Sequence, residues 1–370
     1  GVPQAGDLMV TGVGTIGKVY IVKKDDLFYY KDASVLCFEN RYGMILSEYA
    51  RIMIDSPLLQ NQIHSKTYGN TVDTITISTA NEYICILPPI KEQLKIINAV
   101  NSSIELIAAI EHNKSELSDI IIQAKSKILD LAIRGKLIPQ NPDDEPASVL
   151  LERIRAEKEE LIKAGKIKRD KKESVIFKGE DNSYYQDLPV NWAVSSLSEI
   201  TTSLLLNDGD WILSDNMVPF GDIKLIQLGS VGFLKYADKG FKYLTPEMFT
   251  KLNCTEIHSG YMLINRIVSD KMCACVLPEI EGKKITTVDT CWIAPKDEWY
   301  NLKYILFAIS SPIYQSLVML NSSGTTRKRI SKSNLISLPL AFPTLAEQKR
   351  IVDAIETAFA QLDEILNSIS

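Results

Sequence analysis

The sequence predicts an α+β protein in which one globular unit occurs twice, each copy running into a long helix. Three observations carry this: a repeat at constant offset, a stretch of helical periodicity from Ile90 to Arg134 without proline or glycine, and short β-branched and aromatic runs elsewhere. "PPIKEQLKIINAV", Pro88 to Val100, resembles "PTLAEQKRIVDAI", Pro343 to Ile355, at a shift of 255 residues. The same shift carries Tyr49 onto Tyr304, Ser56-Pro57 onto Ser311-Pro312, Gln60 onto Gln315, Gly69 onto Gly324 and Glu92-Gln93 onto Glu347-Gln348. A shift of 254 places Gly6 of "GDLMVT" on Gly260 of "GYMLIN".

The first element pair surrounds "GVGTIGK", Gly12 to Lys18, which fits both G-x-G-x-x-G and the glycine-lysine pattern of a P-loop. Such loops hold phosphate because they lead from a strand into a helix, whose first amides and dipole face the anion. Here the loop leads into "VYIV", a strand-like run, and Val19 stands where a magnesium-binding Ser or Thr would be. The second copy has "RIVSDKM" in this place and keeps none of the glycines. The stretch therefore reads as a tight connection between strands, and a nucleotide-dependent enzyme is the disfavoured reading.

From Ile90 to Arg134 apolar residues step by four and three, with Ile97 and Ile104 upstream of Leu117, Ile121, Ile128 and Leu131, and a register slip near Glu111 to Lys114. A continuous helix of this length would reach roughly 67 Å at 1.5 Å per residue. Its narrow seam calls for a partner helix, most simply the second copy, with Ile351, Ile355 and Leu362. The alternative is that each helix packs on its own globular part. Gly135 and the proline-rich "IPQNPDDEP" stop the long helix, and a further one follows Pro146, with Glu159 and Lys163 as an i,i+4 pair and Gly165 at its end. The basic run "KIKRDKKE" after it is a solvated linker or a contact to a phosphate backbone.

Composition narrows the function. Apolar residues make up 45% and charged residues 24% of 370, and no apolar run is long enough to span a bilayer, so a cytoplasmic chain without a membrane role is expected. None of the six cysteines forms a C-x-x-C pair and the three histidines lie far apart, which favours free buried thiols over a metal site. No G-x-S-x-G or H-E-x-x-H occurs, and "NPDD", Asn141 to Asp144, lacks the second proline and the aromatic of a base methyltransferase run, so the chain reads as non-catalytic. The net charge of −5 argues against a broadly basic surface, but binding to nucleic acid needs only a local field. "NSSGTTRKRISKSN" supplies one: Arg327, Lys328, Arg329 and Lys332 carry four positive charges with no acid among them, beside Ser323, Thr325 and Thr326. If all four met phosphates, the loop would contribute a log–log salt slope of about −3.6, at 0.9 per contact. The plain alternative is a soluble loop that happens to be basic.

The two variable units, each closing on a "G-T/N-T…I-S/T" loop and "L-P-P-x-x-E-Q…I", are joined by "LIPQNPDDEPASVLLERIRAEK", and the second opens with "LPVNWAVSSLSEI", Leu188 to Ile200. In these features the chain resembles the specificity subunit of type I restriction-modification systems, over nearly its whole length. The resemblance implies two target recognition domains, the first incomplete, joined by long helices that form an antiparallel coiled coil. On that plan residues 1–87 are the C-terminal part of the first recognition domain, 88–187 the central helical region and linker, 188–342 the second recognition domain, and 343–370 the start of the second conserved helix. It implies reading of a bipartite site on double-stranded DNA, docking of two modification subunits and association with restriction subunits. S-adenosylmethionine, ATP and magnesium are then held by those partners and none by this chain. The counterpart of Leu188 would fall well before Gly1, and Ser370 corresponds to a position before the seam from Leu117 to Leu131, so a fragment of a longer product is expected. The DNA contacts expected by position are Ser323 to Lys332, Arg266 and Lys271 in the second copy, and Thr11, Lys18, Asn70 and Thr71 in the first. Arg327, Lys328 and Arg329 lead that set. The rival reading is a coiled-coil scaffold that binds proteins and no DNA.

Overall fold

The computed structural model describes residues 2–30, 34–65, 74–169, 185 and 187–368, in two compact units, Gly1–Glu116 and Leu117–Ser370. The first unit opens with β1 (Leu8–Thr11), β2 (Val19–Ile21) and β3 (Val35–Phe38), an antiparallel sheet with β1 in the middle. Helices α1 (Ser47–Asp55), α2 (Pro57–Ser65) and the short α3 (Ile77–Ala80) follow, and then α4 (Ile90–Ile133), which continues past the boundary between the units. Leu8, Val10, Ala50, Ile54, Leu59, Ile63 and Ile75 form the core of this unit. Gly12 to Lys18 closes the β1–β2 hairpin, with the Thr11 amide donating to the Lys18 carbonyl at 3.0 Å and the Gly17 amide to the Thr11 carbonyl at 2.9 Å. Gly14 and Gly17 take the positive φ of +78° that this turn requires. No helix follows the loop, so its amides are not aimed at a phosphate.

The second unit begins with the end of α4, then α5 (Ala147–Lys163), β4 (Ala193–Ser196), α6 (Leu197–Ile200) and β5 (Leu206–Asp208). Next come β6 (Ile223–Ile226), β7 (Lys242–Leu244), α7 (Pro246–Lys251), β8 (Met262–Asn265), β9 (Ile267–Val268), β10 (Ala274–Val276), β11 (Lys283–Thr286) and β12 (Thr290–Ile293). The chain ends with α8 (Leu302–Ser310), α9 (Pro312–Leu320), β13 (Ser322–Ser323), β14 (Lys328–Ile330), α10 (Lys332–Ser337), β15 (Pro339–Phe342) and α11 (Leu345–Ser368). Its main sheet has the order β10-β8-β12-β5, flanked by the sheets β11-β6-β7, β13-β14-β9 and β15-β4. One large apolar core joins the end of α4, α5, α6, the main sheet, α8, α9 and the start of α11.

The repeat seen in the sequence is a repeat of structure. At the shift of 255, α1 matches α8 and α2 matches α9 residue for residue, and α3, α4, β2 and β3 begin where α10, α11, β10 and β12 begin. Strand β1 matches β8 at 254, because the hairpin loop of the second unit is one residue longer. Even the strand register is kept: Met9 faces Cys37, and Leu263 faces Trp292. Identical side chains make identical bonds. The Tyr49 hydroxyl donates to the Ile86 carbonyl and that of Tyr304 to the Ala341 carbonyl, both at 2.8 Å. The amides of Gln60 and Gln315 donate to the carbonyls of Ile54 and Ile309, again at 2.8 Å.

The long helices meet inside the second unit. Lys125 of α4 pairs with Asp363 of α11 and lies 5.1 Å from the centre of the Phe359 ring, while Gln140, just past α4, donates to Glu347 at 2.6 Å. As the numbering rises toward the end of α4 it falls along α11, so the contact is antiparallel. The narrow seam expected from the sequence is filled only in part. Ile97 and Ile121 are buried, Leu117, Ile128, Leu131 and Leu362 are half-buried, and Ile104 is 53% exposed. Ile351 and Ile355 are buried in the core of the second unit, beside α8, so α11 spends its first turns on its own globular part. A helix that must cover α8 and β15 needs a broad apolar face, which outcompetes a two-position seam.

Smaller departures have local causes. Helix α4 is unbroken through Glu111 to Lys114. Lys163 pairs with Glu160, not Glu159, because Glu159 accepts from both terminal guanidinium nitrogens of Arg169, Nη1 and Nη2, at 2.8 and 2.7 Å. All six cysteines are free, yet only Cys275 and Cys291 are buried and Cys85 is exposed. No described single helix is long and apolar enough to cross a membrane; α8 and α9 together pass by composition but are bent by 66° and supply much of the core.

The link between α4 and α5 is fastened to α11 by charge. The Arg350 guanidinium donates to both carboxylate oxygens of Asp144, the shorter contact being 2.6 Å, and Thr344 adds a third bond at 3.1 Å. These bonds, that from Arg350 foremost, hold the Asp144 carboxyl below its ordinary range. A depressed folded-state pKa contributes stability above the unfolded value near 4, which is lost as pH falls through the folded value. Asp144→Asn should therefore cost about 1 kcal/mol at neutral pH, after discounting for the partly exposed Arg350. In thermal unfolding followed against pH, the gap from the wild type should narrow as pH falls below the ordinary carboxylate range and close once Asp144 is protonated in the folded state.

Candidate nucleic-acid interface

The turn Thr287–Thr290, between β11 and β12, is the hub of the basic region of the second unit. The Thr290 amide closes it on the Thr287 carbonyl at 2.9 Å. The backbone amide of Arg266 donates to the Asp289 carbonyl at 2.8 Å and the Arg266 side chain donates to the Val288 carbonyl. That guanidinium also lies 3.3 Å from the Asp208 carboxylate, which accepts from the Cys291 thiol at 3.0 Å. Burial, foremost, pushes the Cys291 thiol well above its ordinary range and keeps it protonated as that donor. Arg266 is only 5% exposed. It thus fastens the unit from within: a buried arginine must be paired, and Asp208 pairs it.

The hairpin of β13 and β14 stands on this hub. Strand β14 pairs with β13 on one side and β9 on the other, and the Ile330 amide donates to the Arg266 carbonyl at 3.0 Å. Gly324 has φ +112° and a Cβ there would lie 2.6 Å from the Arg327 carbonyl, so the tight tip requires glycine. Ser323, Thr325, Thr326, Arg327 and Lys328 are exposed along the tip. Arg329 is half-buried and paired with Asp289 at 2.9 Å, and Lys332 donates to the Asn207 side chain at 2.5 Å. Among the described residues Arg327 and Lys328 have no ion-pair partner, so of the four expected cations these two point free charge outward. Lys271 is exposed, with its ammonium 4.1 Å from the centre of the Phe233 ring. Sequence reasoning missed Asp208, Asn207 and Asp289, which fix the three other arginine and lysine side chains. The signal for the first two was the short polar run "NDGD" at the end of an apolar strand.

The first unit repeats the frame without the charge. The Gly12 amide donates to the Ser34 carbonyl at 2.7 Å, and the Ile75 amide to the Gly12 carbonyl at 2.7 Å, where the second unit has Arg266, Asp289 and Ile330. Thr74 occupies the place of Arg329 and bridges Val13 as Arg329 pairs with Ile267. The Thr11 hydroxyl is engaged within its own turn, accepting from the Lys18 amide at 3.0 Å and donating to the Thr15 carbonyl. Lys18 is exposed. Asn70 and Thr71 lie outside the described residues.

The geometry defines a class: a duplicated α+β unit, each copy entering a long helix through a buried glutamine, with a rigid basic hairpin on the second copy. Known proteins place that class. Residues 189–370 match the family described as the type I restriction modification DNA specificity domain. The chain is 31% identical over 254 residues to the type I restriction enzyme EcoEI specificity subunit of Escherichia coli, covering 66% of this chain and 40% of that protein. The EcoAI specificity subunit of Escherichia coli is 29% identical over 252 residues, with the same coverage. In fold, the chain resembles the HsdS subunit from Thermoanaerobacter tengcongensis, at a TM-score of 0.54, 15% identity and coverage of 100% of this chain and 75% of that one. A structure described as showing complex assembly and conformational transition of the type I R-M system gives 0.57 at 16% identity, covering 100% and 77%. Over residues 189–370 the second unit belongs to the type I restriction modification DNA specificity domain family. It spans about 40% of the length of the curated relatives it matches.

Proposed function

We propose that this chain is a sequence-specific DNA-binding component of a type I restriction-modification complex, non-catalytic itself, which reads a bipartite site. The observation that carries this reading is the β13–β14 hairpin, where a network of paired charges leaves Arg327 and Lys328 unpaired and exposed on a rigid support. Arginine can fork onto guanine edges or phosphate, while the neighbouring Ser323, Thr325 and Thr326 reach bases or backbone. Residues 188–342 then read one half of the site and residues 1–87 form the C-terminal part of the reader of the other half. Residues 88–187 and 343–370 act as the spacer that docks two modification subunits, with restriction subunits joining them in the cytoplasm. The exposed apolar side chains of α4, Ile104, Ile107 and Ile110, support the docking of protein on that helix. S-adenosylmethionine, ATP and magnesium belong to those partners.

The test is a fluorescence-anisotropy titration of a labelled mixed-sequence duplex at several salt concentrations. Affinity should fall linearly on a log–log plot as salt rises, with a negative slope that counts phosphate contacts. Failure to bind duplex at low salt would leave the scaffold reading standing and sink this one.

A further inference from the structure

We infer that Trp211 is an aromatic reading element of the same interface, which stacks on or wedges beside a base step of the duplex next to the basic hairpin; the inference rests on the DNA-binding function proposed above. Trp211 is 68% exposed, whereas Trp192, Trp292 and Trp299 are buried, and Leu213 beside it is 55% exposed. Large apolar side chains on water are a cost that a binding surface explains.

Its base is held firmly. The Gly209 amide donates to the Thr290 carbonyl, the Asp210 amide to the Thr286 carbonyl and the Val288 amide to the Asp210 carbonyl, each at 2.9 Å. The backbone comes so close that a Cβ on Gly209 would lie 2.4 Å from the Thr286 carbonyl. Asp210 thereby bridges Thr287, at one end of the hub turn whose Asp289 holds Arg329 of the hairpin. Two residue steps separate Thr287 from Asp289, at most about 7 Å. The segment that carries Trp211 and the hairpin that carries the free cations are therefore both fastened to the hub turn.

The charge around it suits a polyanion better than the local count of acids suggests. Asp208 is paired with Arg266 and Asp289 with Arg329, and the Asp210 carboxylate accepts from the Thr255 amide at 2.8 Å. On the hairpin fastened to that hub, Arg327 and Lys328 have no ion-pair partner among the described residues and are exposed. A firmly based aromatic, fastened to the same turn as a hairpin with free cations, is the pairing that stacks on bases while phosphates are held electrostatically. An apolar protein partner would not need the two cations; a duplex uses both features.

Intrinsic fluorescence reads this site selectively, because Trp211 is the exposed one of four tryptophans. The probe is a duplex enriched by the wild-type protein from a randomised pool. On binding, iodide quenching of the exposed tryptophan should be lost. Trp211→Ala should weaken binding of that duplex roughly tenfold, with the salt slope unchanged because no charge is removed, and Trp211→Phe should restore most of the affinity. Tight binding with Trp211 still open to iodide, or Trp211→Ala binding like the wild type, overturns this inference and leaves the hairpin intact. If no duplex is enriched, the DNA-binding function and this inference fall together.

Discussion

Replacing Arg327 and Lys328 together by alanine is expected to make the log–log salt slope of duplex binding shallower by about 1.8, at 0.9 for each lost phosphate contact. By the same relation, with equal affinity at about 1 M salt, affinity should drop roughly sixtyfold at 0.1 M salt. Both side chains are exposed at the hairpin tip and make no ion pair among the described residues, so the unfolding temperature should not move. Arg329→Ala should behave differently. It strips the partner from Asp289 and leaves an acid facing the hub turn, so it should weaken binding through the support of the hairpin and lower stability as well. A double variant that binds with unchanged slope would show that the tip does not meet phosphate.

The largest expected effect on stability is that of Gln348→Ala, on the order of 3 kcal/mol. Gln348 is fully buried, its side-chain carbonyl accepting from the Asn301 amide at 2.8 Å and its NH2 group donating to the Pro343 carbonyl at 3.1 Å. One side chain thus ties the start of α8 to the entry of α11. Its loss leaves a buried N–H and a buried C=O unpaired, each costing roughly 1–3 kcal/mol, besides the cavity. The thermal midpoint of the second unit should fall by roughly 6–12 °C. Gln93 makes the same bonds in the first unit, to the Leu46 amide at 2.8 Å and the Pro88 carbonyl at 2.9 Å, with a further one to Met44 at 3.0 Å, so Gln93→Ala should unsettle that unit likewise. A midpoint within a degree of the wild type would contradict the role given to these glutamines.

These glutamines also show why the duplication was legible in the sequence. A side chain committed to backbone groups of a fixed turn cannot be exchanged without loss, so Gln93 and Gln348, Gln60 and Gln315, and Ser56 and Ser311 survive in both copies while their neighbours drift. The long helix was legible because apolar spacing is local. The sheet β11-β6-β7 was not, because Ile223 pairs in parallel with Lys283 across a long stretch of chain and no nearby residue records it. The seam was overread: apolar spacing says that a helix buries a face, not what covers it, and Ile351 and Ile355 went to their own core. At the site, the cluster of positive residues was plain, but which of them were already spoken for was not. Asp208, Asn207 and Asp289 decide that from other strands, and Trp211 carries no pattern at all.

The central claim, that the second unit reads bases through its hairpin, is tested most directly by selection of bound duplexes from a randomised pool, with the wild type and the Arg327/Lys328 double alanine variant side by side. The wild type should enrich a defined motif, and the variant should lose enrichment at the positions the hairpin contacts. Binding without any enriched motif, or an identical motif from both proteins, would contradict it.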